Sequence, residues 1–212
     1  MNYCKIIKAD PWGNYSTDIE ESARVLMGGG LVAFPTESFY GLAANAMDED
    51  GIRRIFSVKE RQDKNPVLIL IPCLDMLDTL VSEIPATAKE LIRRFWPGGL
   101  TMVFHAGPGI SSLLTANTGK IGIRLSSHPI ATALTRNAGV PITGTSANLS
   151  GQPPCTNPED VIDSIGERID LIIDSGKTFG GKGSTILDVT TQPPSILREG
   201  MISPSEIKKI VA

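Results

Sequence analysis

The apolar positions of this chain alternate between helical stripes and short strand-like runs. Ile19, Ala23, Leu26 and Met27 recur at the spacing of one helical face, and Gly28-Gly29-Gly30 stops the run. Thr17-Asp18-Ile19-Glu20 ahead of them has the form of a capping box. A strand is predicted over 31–34. A helix over 48–61 follows through Ile52, Ile55 and Phe56, which places Lys59 in its last turn, near the negative end of the helix dipole. The wholly apolar segment 67–71 reads as a buried strand.

The second half predicts a helix over 86–95, strands over 100–104 and 121–125, a helix over 129–138 and a strand over 140–143. Asn157-Pro158-Glu159-Asp160 supplies a cap, a proline for the first helical position and two first-turn acids, so another helix starts there. Strands over 171–173, 185–189 and 195–197 and a last helix from Ser203 or Ser205 complete the pattern. Helix-crossed strands early and consecutive strands late predict a mixed, twisted α/β sheet flanked by helices rather than a regular doubly wound one. No linker composition divides the chain, so a single domain over 1–212 is expected.

Composition changes this picture little. The chain has 212 residues, 41% of them hydrophobic and 20% charged, as expected of a globular α/β domain. Its formal charge of −3 argues against indiscriminate coating of nucleic acid or anionic membrane, so any anion site must be concentrated. Cys4, Cys73 and Cys155 are odd in number and form no Cys-x-x-Cys pair, which encodes neither a disulfide framework nor a zinc site and fits a reducing cytoplasm. The N-terminal stretch lacks a signal-peptide core, and no apolar run has the roughly 18 residues of a membrane span. A cytoplasmic protein without a membrane partner is expected.

The candidate chemistry gathers where predicted strands run out into loops, a common ligand location in open α/β sheets. There lie Thr36 and Ser38, Arg124, the segment Thr145-Ser146-Ala147-Asn148, Ser184 and Arg198, with Lys59, Arg61 and Lys120 besides. Cations mixed with hydroxyls and an amide suit an anion with several oxygens, and arginine forks match carboxylate or phosphate. Each has a plainer reading. Lys59 and Arg61 at a helix end also serve as dipole partners, and Ser146 and Asn148 also cap turns. Arg124, inside the apolar run Ile121–Leu125, is costly unless it is paired.

The glycine-rich run from Gly176 to Thr185 reaches Lys182 in G-x-x-x-x-G-K spacing. Gly183 then replaces the Ser or Thr of a phosphate-binding loop, and a strand is predicted where that motif must open a helix. The two histidines, His105 and His128, have no triad or zinc-hydrolase context and read as structural. A site of cations and hydroxyls without an evident base suits transfer chemistry carried by positioning and charge neutralisation.

Four spaced motifs then carry a resemblance. Pro35-Thr36-Glu37-Ser38-Phe39-Tyr40-Gly41-Leu42, Lys59-Glu60-Arg61, Thr145-Ser146-Ala147-Asn148-Leu149-Ser150-Gly151 and Gly183-Ser184-Thr185-Ile186-Leu187-Asp188 together resemble the YrdC (TsaC) family of L-threonylcarbamoyladenylate synthases. The resemblance implies a YrdC-like twisted open sheet with a large electropositive concave cavity. It also implies a nucleotidyltransferase reaction in which L-threonine, bicarbonate or CO2 and ATP, with Mg2+, give threonylcarbamoyl-AMP and pyrophosphate. That product serves N6-threonylcarbamoyladenosine formation at position 37 of tRNA.

Carried over by position, the resemblance makes Lys59, Arg61, Ser146 and Asn148 a catalytic tetrad. It puts Thr36, Ser38, Arg124 and Ser184 near threonine, and Lys59, Arg61, Asn65, Lys120, Ser146, Asn148 and Arg198 near ATP, with no protein side chain on the metal. The implied partner is a tRNA threonylcarbamoyltransferase complex; tRNA or double-stranded RNA contact and a monomer or homodimer are also in view. Two departures stand out: the family often has threonine where Ser38 stands, and some longer members, which carry an extra C-terminal domain, have histidine where this chain has Leu70. A paralogue of the same fold with another substrate, or an RNA-binding module without catalysis, remain the alternative readings.

Overall fold

A computed structural model describes residues 4–62 and 65–211; the first three residues of the N-terminal stretch read above lie outside them. In chain order its elements are β1 (Lys5–Lys8), α1 (Ser16–Met27), β2 (Val32–Pro35), β3 (Tyr40–Ala43), α2 (Glu49–Lys59), β4 (Ile69–Leu70), α3 (Leu77–Leu80), α4 (Ala86–Phe95), β5 (Leu100–His105), α5 (Ser112–Thr115), β6 (Lys120–Arg124), α6 (Pro129–Ala138), β7 (Ile142–Thr143), β8 (Thr145–Ser146), α7 (Pro158–Ile165), β9 (Leu171–Asp174), β10 (Thr185–Asp188), β11 (Ser195–Arg198) and α8 (Pro204–Val211). They build two mixed sheets, of order β1-β9-β2-β3-β8 and β11-β10-β5-β6-β4-β7. The sheets meet where the chain passes from β7 through Gly144 into β8, and the bridge between Asn45 and Ile142 ties them again. Among the described residues no helix is long and apolar enough to cross a membrane.

The two sheets are buried differently, and that difference makes the site. In the first, Val32, Phe34, Leu171 and Ile173 pack under α1 and α6, while Leu31, Ala33, Leu42 and Ile172 pack against Ile55 and Val58 of α2 and Val161 and Ile165 of α7. Both faces of its central strands β2, β3 and β9 are largely buried, so these strands read as mostly apolar runs, unlike the exposed edge strand β1. In the second sheet Leu100, Met102, Phe104, Ile121, Ile123 and Leu187 cover one face. The alternate positions Thr101 and Val103, Lys120, Gly122 and Arg124, and Ser184, Ile186 and Asp188 line a cavity on the other.

Several local expectations meet the backbone differently. The helix expected behind a capping box begins two residues sooner: Tyr15 is its N-cap without a side-chain bond, and Thr17 sits inside α1. A working capping box instead starts α8, where Glu206 N donates to Ser203 Oγ (3.3 Å) and Ser203 N donates to Glu206 Oε2 (3.0 Å). The expected strand over 67–71 shortens to two residues wedged between β6 and β7, because Val67 N donates to Leu114 O and Ile71 N to Arg124 O. Strand β3 was not expected at all. It hides within the motif that reads as a loop, whose polar residues occupy only the turn between β2 and β3. Asn157 does cap α7, accepting from Asp160 N at 2.8 Å.

One glycine has no substitute. A Cβ on Gly200 would lie within 2.5 Å of Ser184 C and Thr185 N, and it would also strike Gly183 O. These are backbone atoms and cannot swing aside. Gly200→Ala is therefore expected to cost about 3 kcal/mol, at the upper end for overpacking, and to push Ser184 and Arg198 apart. Urea unfolding together with the substrate titrations described below checks both effects.

Candidate active site

The cavity over the second sheet has a volume of about 990 Å³. Every site residue singled out from the sequence lines it: Thr36, Ser38, Lys59, Arg61, Asn65, Lys120, Arg124, Ser146, Asn148, Ser184 and Arg198. The placement expected at strand ends holds for most of them: Thr36 and Ser38 follow β2, and Arg124, Ser146 and Arg198 end β6, β8 and β11. Ser184 instead directly precedes β10, and Lys120 opens β6. The alternate strand positions Thr101, Val103, Gly122 and Ile186 then extend the cavity across the sheet face. Among the described lining residues six cations (Lys59, Arg61, Lys120, Arg124, Lys182 and Arg198) face two carboxylates, Asp188 and Glu199.

Lys59 ends α2 with only 1% of its surface exposed. Its ammonium donates to the carbonyls of Ser146 and Asn148, so it fixes the strand and loop that carry the other half of the expected tetrad. Two of its three N–H bonds are thereby engaged and one remains for a ligand. Burial, then the neighbouring Arg61 charge, lower its pKa to about 8. Arg61 donates through Nε to Asn65 O (3.3 Å) and through Nη2 to Pro66 O (2.8 Å), which holds the planar fork against the wall. Asn148 gives its amide N–H bonds to Leu149 O and Gln152 O, leaving the buried Oδ1 without a partner among the described residues.

The turn before β3 divides its labour. Thr36 Oγ1 donates to Phe39 O at 2.7 Å, so its proton serves the turn instead of the cavity. Ser38 contributes its carbonyl to Gly180 N (2.7 Å), which ties the glycine-rich loop to the motif. That loop runs into β10, so it is not a phosphate-binding loop opening a helix. Opposite, Ser184 Oγ meets Thr101 Oγ1 at 2.8 Å, and Arg198 Nη2 donates to both Ser184 O (2.8 Å) and Ser184 Oγ (3.2 Å).

Two carboxylates that the sequence reading left without a role hold the floor cations. Glu37 Oε2 accepts from Arg124 Nη1 at 2.6 Å, with both side chains about nine-tenths buried. Asp188 Oδ2 accepts from Lys120 Nζ at 2.9 Å. Arg124 is thus paired, as its burial demands. A signal for Asp188 was present in the alternation of Ser184, Ile186 and Asp188 along one strand face; Glu37 had none beyond its place in the motif. His128, half buried at the start of α6, has its pKa lowered by burial and lies outside the lining. Leu70 is fully buried in the core, so the position where longer relatives carry histidine does not face the cavity here.

The family model for Sua5, YciO and YrdC, described as "Telomere recombination", matches residues 24–200. The chain belongs to the Sua5/YciO/YrdC family. It is 40% identical over 193 residues to the threonylcarbamoyl-AMP synthase of Pyrococcus abyssi, an alignment that covers 91% of this chain and 57% of that protein. The structure of P. abyssi Sua5 complexed with L-threonine superposes with a TM-score of 0.93 at 37% identity, covering 99% of this chain and 61% of that one. Escherichia coli YciO superposes with a TM-score of 0.86 at 27% identity over 98% of this chain and all of that one. The chain therefore spans less than two thirds of the P. abyssi protein, while its fold is the twisted mixed α/β arrangement of the Sua5/YciO/YrdC family.

Proposed function

We propose that this chain is a threonylcarbamoyl-AMP synthase, condensing L-threonine, bicarbonate or CO2 and ATP, with pyrophosphate as by-product and water released as well when bicarbonate is the carbon source. The observation that carries the reading is one cavity holding two separate cationic groups. Lys59 and Arg61 stand with Ser146 and Asn148, and Arg124 and Arg198 stand with Ser184. A volume of about 990 Å³ lies at the upper end for small-molecule sites and admits an amino acid and a nucleotide together.

The charge logic runs from these groups. Threonine's carboxylate suits the Arg124 end of the floor. Its neutral amine adds to CO2 and loses a proton to solvent to form a carbamate, an anion that is already nucleophilic and needs no strong base afterwards. A carbamate oxygen bonds to the α-phosphorus of ATP while the bond to the β-phosphate breaks, and Lys59 and Arg61 neutralise the departing pyrophosphate. Magnesium enters as part of the Mg·ATP substrate and is assigned no protein side chain, since the lining carboxylate Asp188 is already engaged by Lys120 and Thr190. The product is handed to a tRNA threonylcarbamoyltransferase for modification of adenosine 37.

The test is adduct formation from ATP and bicarbonate across a panel of amino acids, read by mass spectrometry. Threonylcarbamoyl-AMP formed with threonine alone supports the reading. Equal product with serine, or none with any amino acid, sinks it in favour of a paralogue of the same fold with another substrate. RNA retained at physiological salt without product favours a binding module.

A further inference from the structure

Arg124 offers an anion its guanidinium from the last position of β6, and an arginine side chain has several rotatable bonds to settle before it can bind in one geometry. Four bonds converge on the group that settles it. Glu37 Oε2 takes Arg124 Nη1 (2.6 Å), while Oε1 accepts from Ser126 Oγ (2.8 Å), Ser127 Oγ (3.1 Å) and the Ser127 backbone N–H. Ser126 in turn accepts from His128 N (3.2 Å) at the start of the ten-residue helix α6. Glu37 therefore joins three elements: the β2–β3 turn of the first sheet, the end of β6 in the second, and the entry to α6.

On its other side Arg124 keeps a donor in reserve. Its Nε is buried and finds no acceptor among the described residues, although the residue lines the cavity. A buried N–H left unmet is costly and uncommon, and a carboxylate arriving from the cavity would satisfy it.

We propose that Glu37 is a positioning residue for amino-acid binding: it anchors Arg124 by Nη1 so that the rest of the guanidinium, Nε included, is presented in one orientation to the substrate carboxylate. This rests on the proposed synthase reading and adds to it a residue that touches no substrate. Glu37 is absent from the cavity lining; it acts through Arg124 and through the turn that carries Thr36 and Ser38. The competing role, simple charge neutralisation, predicts the opposite sign, because removing a carboxylate beside Arg124 would then leave more positive charge for the ligand.

Glu37→Gln keeps the side-chain shape and removes the charge. Titration calorimetry of L-threonine and, separately, of ATP on wild type, Glu37→Gln and Glu37→Asp decides the matter. The expected result is a roughly 10- to 100-fold weaker threonine Kd in Glu37→Gln, the scale of one charge-assisted hydrogen bond. ATP binding stays intact, and Glu37→Asp recovers part of the loss. Unchanged or tighter threonine binding overturns the proposal, as does equal loss of both ligands.

A second readout needs no substrate. The arginine Nε–Hε correlation spectrum should contain a sharp Arg124 signal, identified by its loss in Arg124→Lys, that broadens in Glu37→Gln. A signal that stays sharp also overturns the proposal. Wild type that binds no threonine would sink the synthase reading, and the spectrum would still decide the role of Glu37.

Discussion

Replacing Lys59 with methionine is expected to abolish adduct formation, by at least ~100-fold, and to lower the melting temperature by about 10 °C. Methionine fills much of the same volume but has no N–H, so Asn148 O loses its donor and Ser146 O keeps only the backbone N–H of Asn148. Buried acceptors left unmet cost about 1–3 kcal/mol each, which gives about 3 kcal/mol for the pair after partial relief at Ser146. The same change frees the 146–148 segment that carries two tetrad members. Both effects have one cause, and thermal unfolding plus the adduct assay will read them together.

Lys59 also fixes a pH signature. Its pKa is lowered from 10.5 to about 8, first by burial and then by the Arg61 charge. The folded state thus holds the proton less firmly than the unfolded chain, so this group's contribution to stability improves as pH rises from about 8 toward 10.5. Activity moves the other way, because a neutral amine no longer neutralises phosphate. The kcat/KM profile is expected to show an alkaline limb near pH 8 in the free enzyme. A profile flat to pH 10 would sink the assignment of Lys59 to the nucleotide end.

Arg124→Met is expected to destabilise by about 3–5 kcal/mol, the range for breaking a buried ion pair and leaving one charge behind. The orphan is Glu37. Burial alone would raise its pKa, but the Arg124 charge, together with the hydrogen bonds it accepts, overrides that and holds it at about 2, down from 4.5. In the wild type this amounts to about 3 kcal/mol, fully present above pH 4.5 and lost as pH falls from 4.5 toward 2. Without Arg124 the carboxyl is favoured in its protonated form. The gap between variant and wild type should therefore be widest at neutral pH and narrow below about pH 4.5. Urea unfolding at pH 7 and pH 4 checks this, and an equal gap at both would contradict it.

By itself the sequence determined the elements whose signals are local. The helices over 86–95 and 129–138 and the asparagine cap of α7 appear where apolar spacing and cap chemistry put them, because a helix satisfies its backbone within its own turns. The candidate residues were also legible, since cations and hydroxyls stand out against apolar strands, and all of them line one cavity. Tertiary structure decided what those residues do. It split the expected sheet into two at Gly144, made the cavity from the uncovered face of one of them, and found a strand inside the opening motif.

It also decided the partners. Glu37 meets Arg124 across 87 positions of chain and Lys59 reaches Asn148 across 89. No periodicity encodes such pairings, because strand registry and sheet crossing bring these groups together only after the chain has folded. Charge type is a property of the residue, but whether a buried cation binds a ligand, clamps a loop or rests against a carboxylate depends on which groups share its desolvated space.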